Sequence, residues 1–306
     1  MAFATEVKDE LAHLEVTGTC CRRAELAAIV KVDGTLHLVD GDYALEVACA
    51  SAAEARRVVA GLHGLYGLKT EISQRRSLLT GSHSYLVSLE PQPKLMQALN
   101  DMGVIDDRSS IVYGILPRLV KRKCDAAAFL RGAFLAGGFV ARPGANAHLE
   151  LTTATDELAQ DLSGLMARLD MEARLSRRRN LYAVYLKGNS QVARFLATVG
   201  AYKAVFAVED GAVMKEMRAN INRLVNCDTA NVAKAVAAAA EQVEAIKRLR
   251  SEGRLETAPQ ALKEVADVRL EYPEATVAEI GEIMDPPLSK SAVYHRLRRL
   301  EKLARA

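Results

Sequence analysis

The chain of 306 residues contains no tryptophan, and only 5% of it is aromatic. Any core must therefore be aliphatic, built from Ala, Leu and Val. Cysteine is scarce as well: Cys20, Cys21, Cys49, Cys124 and Cys227. The number is odd, two are adjacent and no CxxC pair occurs. Such a set argues against a disulfide framework and against a zinc site, and it fits reduced thiols in a cytoplasm. No run of about eighteen uncharged apolar residues is present, so no membrane-spanning helix is expected. The Ala-rich run Val232–Ala240 is short and includes Lys234. Glu6, Asp9 and Glu10 argue against a signal peptide. The histidines at 13, 37, 63, 83, 148 and 295 are never paired at metal-ligand spacing. No serine sits in a nucleophile elbow, and the glycines from Gly132 to Gly138 lack the context of a phosphate-binding loop. Neither a metal, a cofactor nor small-molecule catalysis is expected.

What is present is segregated charge. The whole chain carries only +3. From Pro286 to Ala306, however, there are six Lys or Arg against the single acid Glu301, while Leu255–Asp285 holds eight acids against Lys263 and Arg269. Thr276 and Glu279 have capping-box spacing ahead of an apolar stripe of Val277, Ile280 and Met284, which predicts a helix starting near Val277. Asp285-Pro286-Pro287 stops it, and Ser289 caps the next helix. On that second helix Val293, Leu297, Leu300 and Ala304 share one face, and Ser291, Tyr294, His295, Arg298 and Lys302 share the other. A short helix, a tight turn and a cationic helix form the pattern of a helix-turn-helix reading a DNA major groove, here at about 274–306. Ser289, Lys290, Ser291, Tyr294, His295, Arg296, Arg298, Arg299 and Lys302 are the candidate DNA contacts. Lys290, Arg296, Arg299 and Lys302 suit phosphates; Ser291, Tyr294, His295 and Arg298 suit base edges. A solvated amphipathic helix is the plainer alternative. Upstream, Thr257, Pro259 and Gln260 start another helix, and Met214–Ser251 is expected to form a long helix or a helix pair.

The first two-thirds repeats itself. A helix from Arg22 to about Val32 is followed by strands at Thr35–Val39 and Tyr43–Ala50, a helix at Ala52–Tyr66, strands at Lys69–Gln74 and Ser84–Leu89, and a helix ending near Met102. From Asp125 the same order returns: a helix to Ala136, strands near Phe139–Ala141 and His148–Thr153, a helix at Thr155–Leu169, strands at Glu172–Arg177 and Tyr182–Lys187, and a helix at Gln191–Gly200. Gly34 and Gly138 stand 104 residues apart in matching places, the mark of a duplicated half-domain with pseudo-two-fold symmetry. Ala24, Ala28 and Val32, and again Ala128, Gly132 and Ala136, place small residues every four positions, which lets two helix backbones come close.

These two helices resemble LAGLIDADG motifs. One stands as Leu26-Ala27-Ala28-Ile29-Val30-Lys31-Val32-Asp33-Gly34 and the other as Leu130-Arg131-Gly132-Ala133-Phe134-Leu135-Ala136-Gly137-Gly138. The duplicated αββαββα order is similar to that of LAGLIDADG homing endonucleases over roughly residues 20–200. In that family each helix ends in an acid that holds a divalent metal at the scissile phosphate. Here Asp33 keeps one acid position, as a vestige, and Gly137 stands in the other. Phosphodiester cleavage through such a site needs an acid from both helices, so no strand cutting is expected. Such a body followed by a terminal helix-turn-helix resembles the WhiA family of bacterial regulators, to which Asn222-Arg223, Asn226, Ala230-Asn231 and Lys234 also point. The resemblance implies a cytoplasmic, nucleoid-associated regulator of transcription that binds double-stranded DNA. It also implies a role in sporulation or in cell division and chromosome segregation, and cooperation with a WhiB-type partner.

The expected fold is therefore α+β: a duplicated body at 1–212, with halves at about 1–107 and 108–212, and an all-α DNA-binding domain at 213–306. Arg75 and Arg76 in one hairpin and Arg177, Arg178 and Arg179 in the other, with Arg174 nearby, are secondary candidates for DNA or for an acidic partner. No extended heptad repeat is present, which favours a monomer. Two other readings stand beside this one: an active LAGLIDADG endonuclease, and an interaction scaffold whose basic helix is incidental.

Overall fold

The computed structural model describes residues 2–76 and 83–305. It divides into two compact units, Met1–Glu216 and Met217–Ala306.

In the first unit α1 (Phe3–Ala12) precedes two copies of one pattern. The first copy is α2 (Thr19–Asp33), β1 (Gly34–Val39), β2 (Asp42–Cys49), α3 (Ala52–Tyr66), β3 (Glu71–Arg76), β4 (His83–Leu89) and α4 (Leu95–Asp101). The second is α5 (Lys123–Gly137), β5 (Gly138–Val140), β6 (His148–Thr153), α6 (Asp156–Ala167), β7 (Arg174–Arg178), β8 (Leu181–Lys187) and α7 (Asn189–Val199). Each copy builds an antiparallel four-stranded sheet, ordered β1-β2-β4-β3 and β5-β6-β8-β7. The register repeats with the sequence offset of 104: Gly34 pairs with Val47 and Gly138 with Leu151. Helix starts repeat with it too. The Ser51 hydroxyl accepts from Glu54 N–H at 3.1 Å and the Thr155 hydroxyl from Leu158 N–H at 3.4 Å, each capping the helix that crosses its sheet. The mixed helix-and-sheet class follows the sequence pattern.

The halves meet where α2 packs against α5. Ala24, Ala28, Ala128 and Gly132 are fully buried there, and a Cβ on Gly132 would overlap the Glu25 carbonyl oxygen and come within 2.9 Å of the Ala28 Cβ. Small residues every four positions thus serve as the sequence pattern required. A buried charge network ties the same seam. Glu25 of α2 receives Arg131 of α5 at 2.5 Å and Arg57 of α3. Arg57 donates onward to the carbonyl oxygens of Ala12 and Leu14, and Arg131 to that of Val199. Paired and hydrogen-bonded in this way, the buried ions escape the cost of an orphaned charge. Aliphatic side chains and the Phe129, Phe134 and Phe195 rings fill the remaining core.

Residues 202–251 form one helix, α8 (Tyr202–Ser251), where the sequence left a helix or a helix pair open. The end of α8 packs with α9 (Gln260–Glu271), α10 (Val277–Ile283) and α11 (Lys290–Arg305) around Ile246, Leu249, Val265, Ile280, Val293, Leu297 and Leu300. Among the described residues no helix is long and apolar enough to cross a membrane.

Candidate nucleic-acid interface

Local chemistry fixes the α10–α11 unit. Thr276 Oγ1 accepts from Glu279 N–H at 3.3 Å, and the Glu279 carboxylate accepts from Thr276 N–H at 2.7 Å, a complete capping box. That hydrogen bonding holds the Glu279 carboxyl below its usual range. Ser289 Oγ accepts from Ala292 N–H at 3.3 Å at the start of α11. Between the helices the chain folds back until Leu288 N–H reaches the Gly281 carbonyl at 2.8 Å. The approach is so close that a Cβ on Gly281 would strike the Leu288 carbonyl. Gly281 therefore sets the tightness of this turn, which the sequence reading missed. Arg269 was missed as well. It is 1% exposed, and its guanidinium donates to the carbonyl oxygen of Ala275, pinning the link from α9 to α10.

Val293, Leu297, Leu300 and Ala304 of α11 are buried. Ser289, Lys290, Ser291, Tyr294, His295, Arg298, Arg299 and Lys302 are exposed. The Tyr294 and His295 rings lie edge to face, 5.8 Å between centroids. Two of the candidate arginines have partners within the unit. Arg296 is half-buried and leans back, its guanidinium 3.4 Å from the Ala261 carbonyl of α9, so it braces the unit from within. Arg298 is exposed but not free: it pairs with Glu301 one turn on, at 3.1 Å. That hydrogen bond to Glu301 heads the causes that raise the guanidinium's pKa. The spacing of three residues that allows the pair is visible in the sequence.

The arginines of the body do not gather on one surface. Alternation along a strand sends neighbours to opposite faces. Arg75 and Arg178 lie on the open face of their sheets, in register with Ser84 and Leu181. Arg76 and Arg177 fall on the opposite side. Arg178 is held by Glu150 of β6 at 2.8 Å, and Arg177 sits 5.7 Å above the Tyr182 ring. Arg179 occupies the left-handed turn between β7 and β8. The secondary set is thus reduced to Arg75 and Arg174 as unpaired cations on the open faces, among the described residues.

At the C-terminal ends of α2 and α5, where the endonuclease resemblance would place a metal, the residues do not fit one. Asp33 is half-buried, and burial raises its carboxyl above the usual range while Lys8 opposes the rise. Across from it, a Cβ on Gly137 would stand 2.5 Å from the Thr152 carbonyl oxygen and 3.0 Å from Val32 Cγ1. No side chain, acidic or otherwise, has room there. Lys8 of α1 donates to the Ala136 carbonyl at 2.8 Å, bringing an ammonium to the place of a second cation-binding group. The Glu54 carboxyl is near enough to interact with both Asp33 and Lys8, and burial first of all pushes it up to about 7. Two buried carboxyls sharing a lysine, with no donor from α5, make a poor cradle for Mg²⁺.

Three family profiles match the chain in succession: the WhiA N-terminal LAGLIDADG-like domain over residues 19–105, the WhiA LAGLIDADG-like domain over 126–218, and the WhiA C-terminal HTH domain over 221–304. A relative from Desulfitobacterium hafniense, named a probable cell division protein WhiA, is 43% identical over 99% of this chain and 96% of its own length. Another of the same name, from Desulforudis audaxviator, is also 43% identical, over 99% and 97%. In structure the chain is similar to full-length WhiA from Thermatoga maritima, with a TM-score of 0.62 at 23% identity, covering 100% of this chain and 98% of that one. It is also similar to the N-terminal LAGLIDADG domain of WhiA, with a TM-score of 0.52 at 21% identity, covering 65% of this chain and 90% of that one. With profiles spanning both halves of the body and the helix-turn-helix, and near-full-length relatives well above 30% identity, the chain belongs to the WhiA family.

Proposed function

We propose that this protein is a sequence-specific transcriptional regulator that docks α11 in a DNA major groove and does not cut the strands. The observation that carries this reading is the division of α11 into a buried aliphatic face and an exposed face bearing Ser291, Tyr294, His295, Arg298, Arg299 and Lys302. Lys290, Arg299 and Lys302 neutralise phosphates and release counterions, giving affinity without sequence preference. Ser291, Tyr294 and His295, near the N-terminal end of the helix, reach base edges. Glu301 pre-orients Arg298, whose forked guanidinium suits the two acceptors of a guanine edge. Among the described residues α5 offers no carboxylate to match Asp33 for phosphodiester hydrolysis, which leaves recognition and assembly as the body's work. On this reading the protein acts in the cytoplasm on the nucleoid, as a monomer on an asymmetric site. Its role there is in cell division, chromosome segregation or sporulation beside a WhiB-type regulator.

Binding-site selection on the full chain tests the role assignment. Arg298→Ala should weaken specific binding roughly ten- to hundred-fold and relax preference at one base pair. Lys302→Ala should weaken binding to every sequence alike and reduce the salt slope by about 1. Equal, sequence-blind losses from both would refute the assignment. Supercoiled plasmid should stay intact with Mg²⁺ or Mn²⁺; cleavage that Asp33→Asn abolishes would establish the endonuclease reading instead.

A further inference from the structure

The helix pair at the heart of the body has a second end. At the N-termini of α2 and α5, Cys20, Cys21, Cys124 and Asp125 place their ligand atoms within 4.8 Å of one another. Cysteine spacing along the chain concealed this, because the donors arrive as two adjacent pairs from opposite halves. The pairs are equivalent under the internal repeat. Cys20 and Cys124 are each the second residue of their helix, Cys21 and Asp125 each the third, and the offset is again 104. A pseudo-two-fold axis thus brings two donors from each half to a common point.

The separations suit a tetrahedral cation. With Zn–S bonds of about 2.3 Å, ligand atoms around one zinc lie about 3.8 Å apart, and slightly less where an oxygen replaces a sulfur. The Sγ atoms of Cys20 and Cys21 are 3.9 Å apart, Cys21 Sγ is 3.7 Å from Asp125 Oδ1, and Cys124 Sγ is 3.5 Å from the same oxygen. The carboxylate is already oriented: its other oxygen accepts from Arg122 N–H at 3.3 Å, in the manner of an outer partner that aims a ligand. Both pairs sit in the first turn of a helix, whose positive end favours thiolates, against burial and the neighbouring thiols that push the Cys21 thiol up to about 12; a bound cation would have to displace that proton. Cys124 is exposed while Cys20 and Cys21 are half-buried, so a path from solvent is open.

We propose that Cys20, Cys21, Cys124 and Asp125 form a four-coordinate site for one zinc-class divalent cation, which clamps the two halves of the body together at the N-terminal ends of α2 and α5. Three thiolates select a soft or borderline ion over Mg²⁺ or Ca²⁺. With all four positions filled by protein, the site is structural, with no open position for water. It is independent of the DNA-binding reading, since none of its residues lies in the helix-turn-helix.

The test uses the full-length protein, reduced, stripped with a chelator, desalted and titrated with Zn²⁺ alone and then with Co²⁺ alone. The expected result is one tightly held ion per chain, a thiolate-to-cobalt charge-transfer band with the strong visible bands of tetrahedral cobalt, and a higher melting temperature in the zinc-loaded form. Cys20→Ser/Cys124→Ser should lose all three responses, and Cys227→Ser, an exposed cysteine on α8, should keep them. Absence of stoichiometric binding by the wild-type chain overturns the proposal, whether or not the double variant folds. So does binding undiminished in a double variant with native circular dichroism. So does a reduced protein that ignores zinc and changes only by joining Cys124 to Cys20 or Cys21 on oxidation.

Discussion

Replacing Gly132 by alanine adds one methyl group at the most crowded point between α2 and α5. Helix propensity alone favours the change by about 1 kcal/mol, because glycine is a poor interior residue. Packing opposes it. The new Cβ would overlap the Glu25 carbonyl oxygen and press to 2.9 Å from the Ala28 Cβ, and neither obstacle is a side-chain tip that could swing away. The helices must therefore part. Doing so thins the contacts of Ala24, Ala28 and Ala128 and stretches the buried pair of Arg131 with Glu25, now 2.5 Å apart. Overpacking of this kind costs about 1–3 kcal/mol, and weakening the ion pair adds to it. We expect a net loss of about 2 kcal/mol or more, seen as a melting temperature lower by roughly 4–8 °C. Gly164→Ala is the matched control. Gly164 also lies within a helix, α6, but a Cβ there meets nothing within 4 Å. It should stabilise by about 0.5–1 kcal/mol. Tyrosine fluorescence during urea unfolding reads the body, because only Tyr272 and Tyr294 lie in the C-terminal unit. If both variants shift the midpoint in the same direction, close helix packing does not hold the halves together.

Three further outcomes follow from other contacts. Burial pushes the Glu54 carboxyl up to about 7, so the folded state keeps a proton that the unfolded chain has lost above about 4.5. Stability should fall by about 3 kcal/mol as pH rises across that window. Glu54→Gln should remove Glu54's share of this slope in melts taken from pH 4 to 8, leaving what the raised Asp33 carboxyl contributes, and an undiminished slope would refute the cause. Thr276→Ala deletes half of the capping box and should cost the C-terminal unit about 1 kcal/mol, read as faster amide exchange in α10 with the body unaffected. Gly137→Asp restores an acid in sequence but not in space: it should destabilise the body by about 1–3 kcal/mol without giving Mg²⁺-dependent nicking, and a stable, nicking variant would contradict the crowding at Thr152.

Much of this was legible because the determining signals are local or periodic. The offset of 104 between Gly34 and Gly138 carries over directly into sheet register, and α3 runs from Ala52 to Tyr66 as its pattern requires. Caps at Ser51, Thr155 and Thr276 depend on residues three positions away, so sequence displays them. What escaped notice depends on chain segments far apart. The α1 helix has only a short apolar stripe, Val7 and Leu11, and its importance lies in Lys8, which meets Ala136 across 128 residues. Strand alternation was itself enough to separate Arg75 from Arg76 and Arg177 from Arg178. Reading those arginines as clusters overlooked a period of two that their own strands impose.

The two ends of the α2–α5 pair differ in what close packing leaves room for. At the C-terminal end the helices run into β1 and β5, and the pressure of Thr152 and Val32 on Gly137 admits no ligand opposite Asp33. A metal held from both halves needs donors on both helices, so symmetry is broken where hydrolysis would require it. At the N-terminal end symmetry is kept in position but not in chemistry: a thiol and a carboxyl, Cys21 and Asp125, stand at equivalent places. A mixed donor set of that kind gives no symmetric pair of carboxylates for phosphate chemistry, yet suits a closed tetrahedral ion. The same duplicated scaffold thus disfavours a catalytic metal at one pole and favours a structural one at the other. Zinc removal should accordingly loosen amide exchange first in the opening turns of α2 and α5, with α11 unchanged; loosening that begins in α11 would place the ion's influence elsewhere.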